Sequence, residues 1–168
     1  MIQLQNAKRK KEANEALSYS FIGLDEALED FKKHLSFTLT PAQEKAIHSI
    51  INDFKKTHPM SRLLEGDVGS GKTAVAAAAS YAIVASRVKS MKAQDQKNSR
   101  LQVAYMAPTE ILAKQHYESF TQLFAKLPIN IGLLTGSGCK KFPSKSSLLT
   151  NKQGTDISKN QLLKWIAA

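Results

Sequence analysis

The chemistry most plainly written into these 168 residues lies in the octet Gly66-Asp67-Val68-Gly69-Ser70-Gly71-Lys72-Thr73. It fits the pattern G-x-x-x-x-G-K-[ST]. The three glycines, Gly66, Gly69 and Gly71, let the backbone wrap closely, so that successive N–H groups point inward as an anion nest. The Lys72 ammonium can reach the β- and γ-phosphates of a nucleoside triphosphate, and the Thr73 hydroxyl suits a Mg²⁺ ligand. A helix beginning at Lys72 would add its positive dipole end. The plainer reading of the same string is a glycine turn after a strand.

Other candidates carry two readings each. The Gln43 amide offers a donor and an acceptor side by side, which suits an adenine edge. It also lies three residues after Thr40, where it can complete a capping box. Pro108-Thr109-Glu110 follows a strand-like run, and its helix-start amides and Thr109 hydroxyl suit a nucleic-acid phosphate or plain helix capping. Thr135-Gly136-Ser137 follows another strand-like run and admits the same alternatives. The histidines His34, His48, His58 and His116 show no metal spacing, the single Cys139 has no partner for a disulfide, and Trp165 reads as core.

The elements around these residues follow from periodicity. Asn6 to Leu17 reads as a polar helix, and Leu24, Leu28, Phe31 and Leu35 recur at helical spacing; residues 1–36 are therefore expected to be a helical linker. Thr40, Pro41 and Gln43 open a helix with an apolar stripe of Ala42, Ala46, Ile47, Ile50, Ile51 and Phe54. Leu63-Leu64 is a short strand candidate before the glycine loop, and an Ala-rich helix runs from Lys72 to about Ser86. Leu101–Met106 and Ile129–Leu134 are strand-like, with a helix from Pro108 to about Lys126 between them. Ser158 and Gln161 box the start of a last helix. Arg87–Arg100 and Cys139–Asp156 read as irregular loops. Strand–helix alternation predicts an α/β fold whose parallel sheet is covered by helices on both faces. The net charge of +10 favours a polyanionic partner or a solvated basic surface. No secretory signal and no membrane-length apolar run is present, so a cytoplasmic protein is expected.

Four strings resemble one family. Phe37-Thr38-Leu39-Thr40-Pro41-Ala42-Gln43, then Arg62-Leu63-Leu64-Glu65-Gly66 entering the glycine loop, and then Met106 to His116 with Leu133-Leu134-Thr135-Gly136-Ser137 are similar to bacterial DNA helicases of the RecG type, in the family's order. The resemblance implies a RecA-like P-loop NTPase in which 37–168 is the truncated, ATP-binding start of the first motor domain, with an incomplete parallel sheet. It implies ATP and Mg²⁺ as cofactors, Gln43 sensing adenine, and Gly66 to Thr73 holding the triphosphate and metal, with Lys72 and Thr73 acting in catalysis. It implies Pro108, Thr109, Glu110, Thr135 and Gly136 lining a track for branched or single-stranded DNA in recombination and repair. The family's acidic Asp-Glu motif does not occur after the last helix; Asp25-Glu26 lies upstream, so this chain alone is not expected to hydrolyse ATP. A non-catalytic ATP- or DNA-binding product and a small-molecule kinase are the other classes, and the Pro-Thr-Glu and Leu-Thr-Gly-Ser strings argue against the kinase.

Overall fold

The computed structural model describes residues 18–88, 101–143 and 154–167. The expected helix at Asn6–Leu17 lies outside the described residues, as do the centres of the two long irregular segments. The chain divides into two compact units, Met1–Val103 and Ala104–Ala168.

The first unit is built on three helices, α1 (Leu24–His34), α2 (Pro41–Phe54) and α3 (Lys72–Ala85). Helix α3 has no charged residue after Lys72, and its Ala74, Ala77, Ala78 and Ala82 are buried. Small side chains let both other helices approach closely, and α1 and α2 each pack on α3. Phe31 and Leu28 of α1 and Ile47 and Ile51 of α2 are fully buried against it, each such side chain contributing about 1.5–3 kcal/mol. Tyr81 of α3 donates a hydrogen bond to Asp30 of α1 at 2.6 Å, and its ring lies 5.9 Å from Phe31.

The helix expected from the spacing of Leu24, Leu28 and Phe31 forms as α1, and its stripe packs on the alanine face of α3. One expectation changes here. The start of the expected loop at Arg87 is instead a short strand: β1 (Phe21–Ile22) and β2 (Arg87–Val88) pair antiparallel. The Phe21 ring lies 6.2 Å from that of Phe54 at the end of α2.

The second unit holds α4 (Glu110–Leu123), β3 (Ile131–Leu134), β4 (Cys139–Phe142), β5 (Thr155–Ile157) and α5 (Lys159–Ala167). The three strands form an antiparallel sheet in the order β3-β4-β5, with Leu134 opposite Cys139 and Cys139 opposite Ile157. Helix α4 packs on β3 through Tyr117, Phe120 and Phe124, all buried. Helix α5 starts with the expected capping box: Ser158 accepts from Gln161 N at 3.2 Å, and Gln161 accepts from Ser158 N at 2.9 Å. Leu162 anchors it in the core, whereas Trp165 is only half-buried, with Lys141 Nζ 5.9 Å from its ring.

The α/β composition stands, but the expected parallel ladder is not formed among the described residues. Leu63-Leu64 and Leu101–Met106 carry no strand pairing, and Leu63 and Met106 are exposed. The β3–β4 pairing links chain neighbours across the short Thr135–Gly138 turn, as antiparallel geometry allows; parallel neighbours require a long crossover and a strand already in place. Both ends of the expected loop Cys139–Asp156 are strands, β4 and β5, and these pair antiparallel.

Two stability tests follow. Asp53, on the buried side of α2, accepts from Lys56 Nζ at 2.7 Å and Arg62 Nε at 2.6 Å. The Lys56 hydrogen bond, aided by Arg62, holds its carboxyl below the usual aspartate range against the opposing effect of burial. A carboxylate lowered on folding stabilises the protein above its unfolded value, about 3.9, and that stabilisation is lost as pH falls through the folded value. Asp53→Asn is therefore expected to melt about 2–4 °C below the parent at pH 7, with the gap closing in acid; a gap independent of pH would contradict this. Gly154 has φ +141°, and a Cβ there would collide with the Tyr117 hydroxyl. Gly154→Ala should destabilise the chain by about 1–3 kcal/mol in denaturant titration, and an unchanged midpoint would contradict that packing.

Candidate functional site

The glycine loop joins the end of an unpaired segment to α3. Gly69 and Gly71 have φ of +84° and +81°, conformations that favour glycine, and Gly71 is the N-cap of α3. Ser70 N donates to Asp67 O at 3.2 Å, and Ala74 N to Gly71 O at 2.9 Å, so the loop closes as a turn before the helix begins. Lys72 folds back into this turn, donating to Gly66 O at 2.6 Å and Asp67 O at 2.8 Å. A Cβ at Gly66 would meet Ser70 Oγ at 2.8 Å, so the bare glycine makes room for the fold of the loop. Val68 stands fully exposed at the tip, and Thr73 is half-buried in the first turn of α3.

Gln43 reaches this loop from the first turn of α2. Its backbone N–H donates to Thr40 Oγ1 at 3.3 Å, and its Oε1 accepts from Thr40 N at 2.9 Å. Both halves of the capping box are thus formed. The remaining end of the amide, Nε2, donates to Ser70 O at 2.8 Å across 27 residues of chain. Capping and loop contact are therefore combined in one side chain. A Cβ on Gly71 would strike Gln43 Nε2, so the third glycine is needed for this approach as well as for its φ.

Upstream of the loop, the Asp53 carboxylate grips Arg62, which precedes Leu63-Leu64. Sequence reading passed over Asp53. Its signal was an acid on an otherwise apolar helix face, one turn before Lys56.

The other candidates lie in the second unit. Thr109 is the N-cap of α4, its Oγ1 accepting from Leu112 N at 3.3 Å. Pro108 is exposed just before it. Thr135 makes a tight turn, with N and Oγ1 donating to Gly138 O at 3.0 and 2.8 Å. Glu110 accepts from Ser137 N at 2.9 Å, and Lys114 donates to Ser137 Oγ at 2.9 Å. The five track candidates Pro108, Thr109, Glu110, Thr135 and Gly136 are thereby brought to one edge of this unit. Ser137 hydrogen bonds, with help from Lys114, hold the Glu110 carboxyl below its usual range. Ser137 was read only as part of the Thr135-Gly136-Ser137 segment and Lys114 was given no role; Lys114 sits one helical turn from Glu110 on the same face, a spacing that pairs charges. Among the described residues no cluster of His, Cys, Asp and Glu could hold a metal, and no helix is long and apolar enough to cross a membrane.

Comparison with known proteins agrees with these strings. Residues 40–158 match the family model of the DEAD/DEAH box helicases. ATP-dependent DNA helicase RecG of Aquifex aeolicus is 48% identical over 103 residues, which is 61% of this chain and 11% of that protein. RecG of Streptococcus pneumoniae is 48% identical over 106 residues, covering 63% and 14%. RecG of Bacillus subtilis is 42% identical over 130 residues, covering 77% and 17%. The chain therefore spans less than a fifth of these relatives. No solved structure matches. With most of its described length matched, from the Thr40 cap through the glycine loop to β5, the chain belongs to the DEAD/DEAH box helicase family.

Proposed function

We propose that this chain is the ATP-binding part of an ATP-dependent DNA helicase of the RecG type, which acts on branched DNA in recombination and repair. Residues 37–168 would be the start of the first RecA-like motor domain, with α1 packed on it. The single observation that carries the reading is the latch between Gln43 and the glycine loop: one side chain caps α2 and grips Ser70 O beside the left-handed Gly71.

The residues present fit a nucleotide. Gly69 and Gly71 turn the backbone ahead of a helix start, where partial positive charge gathers. Among the described residues Lys72 is held by two carbonyls of the loop itself, so its ammonium can exchange those for phosphate oxygens without leaving the turn. Gln43 uses one proton and one lone pair in the latch. An amide has two of each, so one donor and one acceptor remain for the edge of adenine. Thr73 would hold Mg²⁺ through its hydroxyl, and the metal would neutralise charge building on the phosphates. In catalysis by the whole helicase, Lys72 and Thr73 would orient the triphosphate while groups elsewhere orient water.

For DNA, Pro108, Thr109, Glu110, Thr135 and Gly136 form the proposed track. A net charge of +10 favours contacts with phosphates.

Calorimetric titration with MgATP tests the nucleotide site. Lys72→Ala should weaken binding about 10- to 100-fold, the worth of a charge-assisted hydrogen bond, with an unchanged circular dichroism spectrum. Gln43→Ala should erode the preference for ATP over GTP. Equal affinity in folded Lys72→Ala protein would overturn the assignment.

A further inference from the structure

The junction of the Pro-Thr-Glu and Thr-Gly-Ser segments contains a lysine that neither motif includes. Lys114 lies one turn into α4, about half exposed, with its ammonium 2.9 Å from Ser137 Oγ and 3.9 Å from Glu110 Oε2. An ammonium has three protons. Ser137 takes one, and the Glu110 oxygen is too distant for a hydrogen bond, so donors remain for another oxygen. Glu110 is differently placed. Its Oε1 already receives the Ser137 amide, and a carboxylate repels a phosphate. Its contact also requires the bare backbone at Gly136, where a Cβ would come within 2.7 Å of Oε1. Thr135 closes the turn from inside by donating to Gly138 O. These bonds tie the turn after β3 to the first two turns of α4 and fix the Lys114 head at their seam.

Resting on the DNA reading above, we propose that Lys114 is the phosphate-contacting cation of this edge. Glu110 is a positioning residue that docks the Thr135–Gly138 turn and orients Lys114 without touching the strand. The ligand is the sugar–phosphate backbone of single-stranded DNA.

The experiment is binding of a fluorescein-labelled oligothymidine to the full 168-residue chain across a salt series, with thermal melting as the folding control. Each phosphate contact with a single strand contributes about 0.7 to the slope of log K against log salt. Lys114→Gln should reduce the slope by about 0.7, and Glu110→Ala should reduce it by the same amount because the lysine is no longer held. Glu110→Gln keeps an oxygen for the Ser137 amide and should restore the parent slope. The double variant Glu110→Ala/Lys114→Gln should fall no further than either single change. An unchanged slope in Lys114→Gln overturns the proposal. So does a Glu110→Gln variant that behaves like Glu110→Ala, which would mark a simple charge effect, or additive losses in the double variant. Failure of the parent chain to bind the oligonucleotide overturns the DNA reading and this inference with it. Parent binding with an unaffected Lys114→Gln slope overturns the inference alone.

Discussion

The first unit depends on one constraint: a glycine turn must be held in shape where no strand ladder among the described residues supports it. Leu63-Leu64, entering the loop, has no strand partner among the described residues. Three interactions substitute for it. Asp53 grips Arg62 before the loop, Gln43 grips Ser70 within it, and α3 is clamped by α1 and α2 after it. Two of these anchors come from α2, so the capping chemistry that starts this helix and the acid near its end also set the loop. The alanine face of α3 is what permits this closeness, since larger side chains would hold α2 farther away.

The second unit solves a similar problem with charge. The Thr135–Gly138 turn joins two short strands and exposes its backbone groups. The first-turn acid of α4 satisfies one of these amides while also sitting favourably at a helix start. Lys114 then balances the acid and bonds the Ser137 hydroxyl. Anion-accepting and anion-bearing groups are thus mixed at one edge, which makes the geometry of each group more important than the net charge of the chain.

Much of this was legible in the residues alone, and the limits have physical causes. Local chemistry read well: the capping boxes at Thr40/Gln43 and Ser158/Gln161 both form, since each needs only four consecutive residues. The helices expected from the Ala-rich run at Lys72 and from the Pro108-Thr109 start also form, beginning at Lys72 and Glu110. Pairing did not read well. Nothing local in Phe21-Ile22 and Arg87-Val88 names them as partners, and the strands at Cys139 and Thr155 are masked by lysines and serines that suggest a loop. Helix α1 looked like a connector because its stripe is short; only the alanine face of α3 shows what it covers. For Gln43 the sequence offered a cap and a site role that need not exclude each other, and its amide serves the cap with its oxygen and the loop with its nitrogen. The partnership of Lys114 with Ser137 was not legible because it spans 23 residues and joins two separate strings.

Whether the backbone from Gly66 to Thr73, held by Gln43, receives a triphosphate can be read from the amide proton–nitrogen spectrum of the chain titrated with MgATP, with residues 66–73 assigned. Saturable shifts are expected in the amides of Gly69, Ser70, Gly71 and Lys72, with a smaller response from the Gln43 side-chain amide at the same midpoint. Shifts confined to other parts of the chain, or none at saturating MgATP in a folded sample, would contradict it.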